Sequence, residues 1–291
     1  MIRVSVISKL INNENNNMKK AIILSLMIAM FSAAFSQNAI IINKTNGSTI
    51  TIAIDEISKI TFGNITETAK PSVNRPIYII GDVNSWNNSD ITTMLALFKE
   101  NSNSDNAVYT YTGYLPVGYF KFLPEEALNS YKALCFKSEG KLEYLEQDGG
   151  AFYNAEAGYK TISVNVDDMA YSISNYDVSG ANEWQTVGVI GEFCGWANEP
   201  KMTQYSAGNK HIWSLELTLP SLAEGATHPV KFRANESWGS RWAANDPEAV
   251  PFGKAIFLTK DEYDPNIVLH SGGNYHIVFN DLTGHYIFIK K

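Results

Sequence analysis

Between residues 76 and 291, apolar and polar side chains alternate in short runs broken by Gly, Asn and Pro. A period of two belongs to strands with one buried face, and no stretch shows the three-and-four spacing of a long amphipathic helix. The clearest run is IWSLELTL at 212–219, which places Trp213, Leu215, Leu217 and Leu219 on one face. The pattern predicts strands over 77–81, 107–114, 118–123, 160–166 and 169–174, and again over 186–191, 211–219, 228–234, 274–280 and 284–290. Upstream, residues 39–62 hold two β-branched runs around Asn46-Gly47, a pairing that favours a tight hairpin. An isolated hairpin is marginal, so this one is expected to dock on something.

The two sets of strands are copies of one unit. Residues 77–86 read IYIIGDVNSW and residues 187–196 read VGVIGEFCGW. Gly81 and Gly191, Trp86 and Trp196, and Lys121-Phe122 and Lys231-Phe232 all stand 110 residues apart. The closing pairs Gly158…Tyr171 and Gly273…Tyr286 are both spaced by 13. That period is too long for a solenoid and is the size of one small β domain. The expected class is all-β, with two tandem immunoglobulin-like β-sandwich domains after a short N-terminal β-hairpin segment. The divisions read as an extension with export signal (1–36), a hairpin and polar linker (37–75), a first sandwich (76–176) and a second (185–291). Tandem copies favour binding over chemistry, because a second copy adds avidity.

The N-terminus changes the setting. AIILSLMIAMF at 21–31 is too short to span a bilayer. Lys19-Lys20 before it and Ala34-Phe35-Ser36 after it make it a secretory signal, with cleavage expected after Ser36. Residues 1–17 are polar and Asn-rich and read as an upstream mis-start or an unstructured extension before Met18. No Cys stands at the end of the apolar run, so no lipoprotein acylation site is read. Export leads to the periplasm, the outer-membrane surface or the outside, and no later segment reads as a transmembrane span.

Net charge is −7 without a Lys/Arg run, which excludes nucleic acid as the expected partner. Cys135 and Cys194 fall at non-equivalent places and read as two buried thiols rather than a disulfide. Glu125-Glu126 and Asp167-Asp168 are adjacent carboxylates that point to opposite faces of a strand, and the five His are scattered. No GxSxG, HExxH or P-loop is present. No catalytic residue, cofactor or metal site is therefore expected.

The tryptophans are the remaining chemistry. Trp213 lies on the alternating face and reads as core, and Trp184, in the linker, as packing between domains. Trp196 follows Gly195 in a turn and is either an exposed platform or a cap on the sandwich end. Trp238 and Trp242 sit in polar NESWGSRW and read as a binding loop. Lys231 alternates with Phe232 and shares its face with Arg233, while Asn235 reads as a turn residue.

KFRANESWGSRWAAND at 231–246 and GGNYHIVFNDLTGHYIFI at 272–289 resemble the SusE/SusF family of outer-membrane starch-binding proteins. The first repeat matches at its ends and at Lys121-Phe122, but reads FKFLPEEALNSYK where the second has VKFRANESWGSRW. The resemblance implies a non-catalytic protein that binds a polysaccharide or oligosaccharide, an α-glucan first, alongside other glycan-uptake proteins. Aromatic faces would cover the C–H faces of sugar rings, and cations would donate to hydroxyls. The implied site is Trp196, Lys231, Arg233, Trp238 and Trp242, with a weaker second site at Trp86, Lys121 and Tyr131. The competing reading is a structural or protein-interaction module on the same fold.

Overall fold

The computed structural model describes residues 39–43, 49–53, 70–100, 102, 107–146, 149–206, 208–260 and 264–291. The segments read as an export signal and as an Asn46-Gly47 turn lie outside these residues. By internal contacts the chain forms two compact units, residues 1–65 and 66–291. The first contains the expected hairpin, β1 (Ala39–Asn43) paired antiparallel with β2 (Thr49–Ala53).

The second unit holds two all-β sandwiches of nine strands each. The first comprises β3 (Ile77–Gly81), β4 (Leu95–Ala96), β5 (Val108–Leu115), β6 (Gly118–Pro124), β7 (Ala133–Ser138), β8 (Lys141–Leu145), β9 (Phe152–Asn154), β10 (Gly158–Asn165) and β11 (Ala170–Asn175). The second comprises β12 (Val187–Gly191), β13 (Thr203–Gln204), β14 (Ile212–Leu219), β15 (His228–Ala234), β16 (Arg241–Ala244), β17 (Phe252–Leu258), β18 (Ile267–Leu269), β19 (Gly273–Asn280) and β20 (His285–Lys290). The ten strands read from alternation are all present. Of the eight others, β8 (KLEYL) alternates but escaped the sequence reading, and the rest are short or irregularly patterned.

Each ladder closes on itself. The first runs β4-β3-β6-β7-β8-β11-β10-β5, and Phe98, just past β4, bridges Thr110 in β5. The second runs β12-β15-β16-β17-β20-β19-β14-β13, and Lys201, just before β13, bridges Gly188 in β12. Among the described residues, closure leaves no long unpaired edge. The glycines that end β3 and β12 let the neighbouring strand approach. A Cβ on Gly81 would strike the Tyr119 carbonyl, and one on Gly191 the Pro229 carbonyl.

Both cores are aromatic. Phe120, Phe122 and Phe152 cluster in the first. In the second, Phe232 stacks on Phe279 at 4.1 Å. Trp213 is buried as expected, and its indole donates to Asp281 Oδ2 at 2.7 Å.

The sandwiches do not meet as separate bodies. Ile212, Phe252, Val278, Ile287 and Ile289 belong to strands of the second sandwich but pack into the core cluster of the first. Polar contacts stitch the seam. Asn280 Nδ2 donates to the Thr112 carbonyl at 2.7 Å, Asn209 Nδ2 to Tyr111 Oη at 2.8 Å, and Tyr205 Oη to the Thr93 carbonyl. Trp184 packs edge-on against Trp242 and beside Phe257, so it belongs with the second sandwich.

Asn280 is fully buried and also accepts from Leu282 N. Asn280→Ala leaves both partners unsatisfied and is expected to cost about 1–3 kcal/mol. Urea unfolding checks this. Because the core is shared, wild type should unfold in one transition that moves to lower urea in the variant. Two separated wild-type transitions would contradict the shared core.

Candidate functional site

In both sandwiches a tryptophan leaves the sheet by the same turn. After β3 the chain makes one 3-10 turn, Asp82–Asn84, and after β12 another, Glu192–Cys194. Trp86 and Trp196 follow with φ of 58° and 57°, the left-handed region that bulky residues avoid. Each closes its turn by donating its backbone N–H, Trp86 to Gly81 O at 2.8 Å and Trp196 to Gly191 O at 2.9 Å. Such strain persists where the surroundings over-determine it, often at ligand sites.

The next strand supplies the lysine. β6 pairs with β3 so that Lys121 stands opposite Ile80, and β15 pairs with β12 so that Lys231 stands opposite Ile190. Phe122 and Phe232 alternate with these lysines and fill the cores, so both lysines lie on the outer face beside their tryptophan.

Around Lys231 the second sandwich builds an ion network. Lys231 is only 7% exposed. Its Nζ meets Asp264 Oδ1 at 2.9 Å and lies 5.6 Å from the centre of the Trp196 ring. Arg241 Nε meets the other oxygen of Asp264 at 2.7 Å, and its Nη1 donates to the Trp238 carbonyl at 2.6 Å. Arg233 forks onto Glu199 at 3.1 and 2.5 Å, with its guanidinium 4.7 Å from the Trp238 ring centre. Burial pushes the carboxyls of Asp264 and Glu199 up, but hydrogen bonds to these cations outweigh it and hold both below the ordinary range. Trp196 and Trp238 sit 6.3 Å apart over this network and line a cleft of about 510 Å³ with Asn198, Lys201 and Glu236.

Trp242 does not join them. It is 2% exposed, pairs with Phe232 across the ladder and packs on Phe257 and Phe279. The binding-loop reading is corrected here, because four residues past Trp238 the chain has already entered β16 with its side chain turned inward. Asn235 makes the turn, its Oδ1 accepting from Gln185 N and Thr186 N.

The first sandwich answers the same positions differently. Strand register equates Leu134 with Trp242, Leu123 with Arg233, Met94 with Glu199 and Gly149 with Asp264. An ion network thus becomes an apolar floor. Lys121 is half-buried beside Cys135, and among the described residues no carboxylate pairs with it. Burial pushes the Cys135 thiol up, against the pull of the Lys121 ammonium. Trp86 and Tyr131, 40% and 77% exposed, flank a cavity of about 320 Å³ with Lys121, Asn88, Ser130 and Leu123 along its wall. Asp82 fixes the Trp86 indole at 2.9 Å, and Asn88 is held by the Ser130 carbonyl at 2.7 Å.

The expected residues of each site therefore come together, apart from Trp242. Asp264, Glu199 and Arg241 escaped sequence reasoning. Asp264 and Arg241 lie more than twenty residues apart in the chain, and only the fold makes them partners.

No protein-family model matches the chain, and no curated protein matches it. A crystal structure of SusF from Bacteroides thetaiotaomicron is similar at 18% identity and a TM-score of 0.28, covering 76% of this chain and 50% of that one. This chain thus spans about half the length of that protein. The likeness is distant and concerns the fold alone.

Asp264→Ala strips Lys231 and Arg241 of this carboxylate and is expected to cost about 3–5 kcal/mol. A carboxyl held low in the folded state adds stability that is complete above its ordinary value, 3.8 for Asp264 and 4.5 for Glu199, and is lost as pH falls through the folded value. Between pH 6 and about pH 3, the urea midpoint of Asp264→Asn should therefore fall less than that of wild type. An equal fall would show that the network contributes nothing to acid sensitivity.

Proposed function

We propose that this is a non-catalytic, exported glycan-binding protein with one aromatic platform on each sandwich. The observation that supports this is a repetition. A left-handed tryptophan and an outer-face lysine recur at equivalent places, Trp86 with Lys121 and Trp196 with Lys231, and an exposed aromatic from the loop that follows the lysine strand, Tyr131 or Trp238, stands by each tryptophan. Their surroundings have diverged from ion pairs to apolar contacts, yet the exposed rings remain. A flat, partly exposed aromatic face beside polar donors fits the C–H face and hydroxyl rim of a sugar.

The two platforms differ in their donors. In the second, Lys231 and Arg233 are engaged by carboxylates, so Trp196 and Trp238 would contribute stacking on a rigid base. In the first, Lys121 and the walls of the cavity are open to a ligand, so this site ranks level with the second rather than below it. The ligand proposed is an α-glucan, on the strength of the SusE/SusF resemblance in the sequence. Each site alone would be weak, with millimolar binding equal to about −4 kcal/mol, and two on one body would gain through effective concentration.

Affinity electrophoresis in starch gels tests this. Wild type should be retarded, Trp86→Ala and Trp238→Ala each less so, and the double variant not at all. A wild type that runs unretarded would replace this reading with a protein-interaction module, and retardation of the double variant equal to wild type would take starch binding away from these two platforms. Sustained release of reducing sugar would replace it with a hydrolase.

A further inference from the structure

Exposed aromatics on the first sandwich do not stop at the Trp86 cavity. Tyr119 and Tyr153, 52% and 57% exposed, stand directly opposite each other on β6 and β9 with ring centres 4.7 Å apart. Tyr119 shares its face with Lys121, two residues further along the same strand and about 7 Å away. Asp82 joins the two patches. One of its oxygens accepts from the Trp86 indole at 2.9 Å and the other from Tyr119 N at 2.8 Å. These bonds hold the Asp82 carboxyl below the ordinary range. Tyr131, Trp86, Tyr119 and Tyr153 thus follow one another over the outer face of β6. The second sandwich has no such row, since its register places Pro229 and Val268 where Tyr119 and Tyr153 stand.

We infer that the Tyr119–Tyr153 pair extends the Trp86 cavity into a track for one linear glycan chain, spanning several consecutive sugar units; this rests on the glycan reading of that cavity. Three features favour a sugar chain as the occupant. The step from Lys121 to Tyr119 is comparable with a sugar ring and its linkage. Both rings are exposed and each carries a hydroxyl at its tip, which suits a polyol better than an aliphatic side chain. The carboxylate between the patches is already engaged by two N–H donors, so the surface does not call for a cationic ligand. The first sandwich would therefore distinguish chain lengths, and the second, limited to two rings over an ion network, would not.

Calorimetry with maltotriose and maltoheptaose tests the track, with Trp238 replaced by Ala throughout so that the first sandwich dominates. The protein with its tyrosines intact should bind the longer sugar about three- to tenfold more tightly. Tyr119→Ala with Tyr153→Ala should bring the two sugars within about twofold of each other, while Tyr119→Phe with Tyr153→Phe keeps most of the preference. Trp86→Ala should abolish binding of both. If the length preference survives the alanine pair while Trp86→Ala still abolishes binding, the track is wrong and the cavity stands. If Trp86→Ala changes nothing, or no sugar binds, the glycan reading of the cavity fails and the track with it. Sedimentation separates a third outcome. Self-association that the alanine pair removes, with sugar binding unchanged, would make this face a contact between copies and overturn the track.

Discussion

In each sandwich the strand after the first hairpin turn sends a phenylalanine inward, Phe122 or Phe232, and both are fully buried. Because side chains alternate across a strand, burying that ring forces the preceding lysine to the outer face. The pairing partner is equally constrained, since the apolar first strand, β3 or β12, ends at a glycine that admits the backbone of β6 or β15. The tryptophan then leaves the sheet one turn later, beside the lysine. A one-residue slip in this register would put lysine in the core and phenylalanine in water. The site geometry is therefore a consequence of core packing, and it persists between repeats whose other residues have changed.

The repeats diverge in how they manage the lysine's charge. Lys231 is buried under Trp196, and a buried cation is costly without a partner. Asp264 meets that need and is shared with Arg241, while Glu199 does the same for Arg233. In the first sandwich Gly149 replaces Asp264, and Met94 with Leu123 replaces the Glu199–Arg233 pair. Lys121 remains partly solvated, so no carboxylate is required. The result is a preorganised charged base under one pair of rings and an open, mainly apolar cavity beside the other.

The seam between the sandwiches adds a third constraint. Apolar side chains from β14, β17, β19 and β20 enter the first core cluster, and buried amides of Asn209 and Asn280 fix the direction of approach. Hydrophobic contact alone would tolerate sliding, whereas a buried amide left unpaired would not. The two platforms accordingly belong to one body rather than to two modules on a flexible tether.

Alternation along the chain determined the all-β class, ten of the eighteen sandwich strands, the buried role of Trp213 and the outward side of Lys121 and Lys231, because period two is a local property of a pleated strand. Fixed spacing between repeats paired Trp86 with Trp196 before any contact was known. Three things awaited the tertiary structure. Short strands such as Phe152–Asn154 exist only through their partners, so Tyr153 showed no sign of facing Tyr119. Trp238 and Trp242 look alike in a polar segment, and the ladder alone sends one to water and the other to the core. The neutralisation of Lys231 depends on Asp264, 33 residues further along the chain, and charge pairing at that separation is decided by where strands fold, not by local sequence.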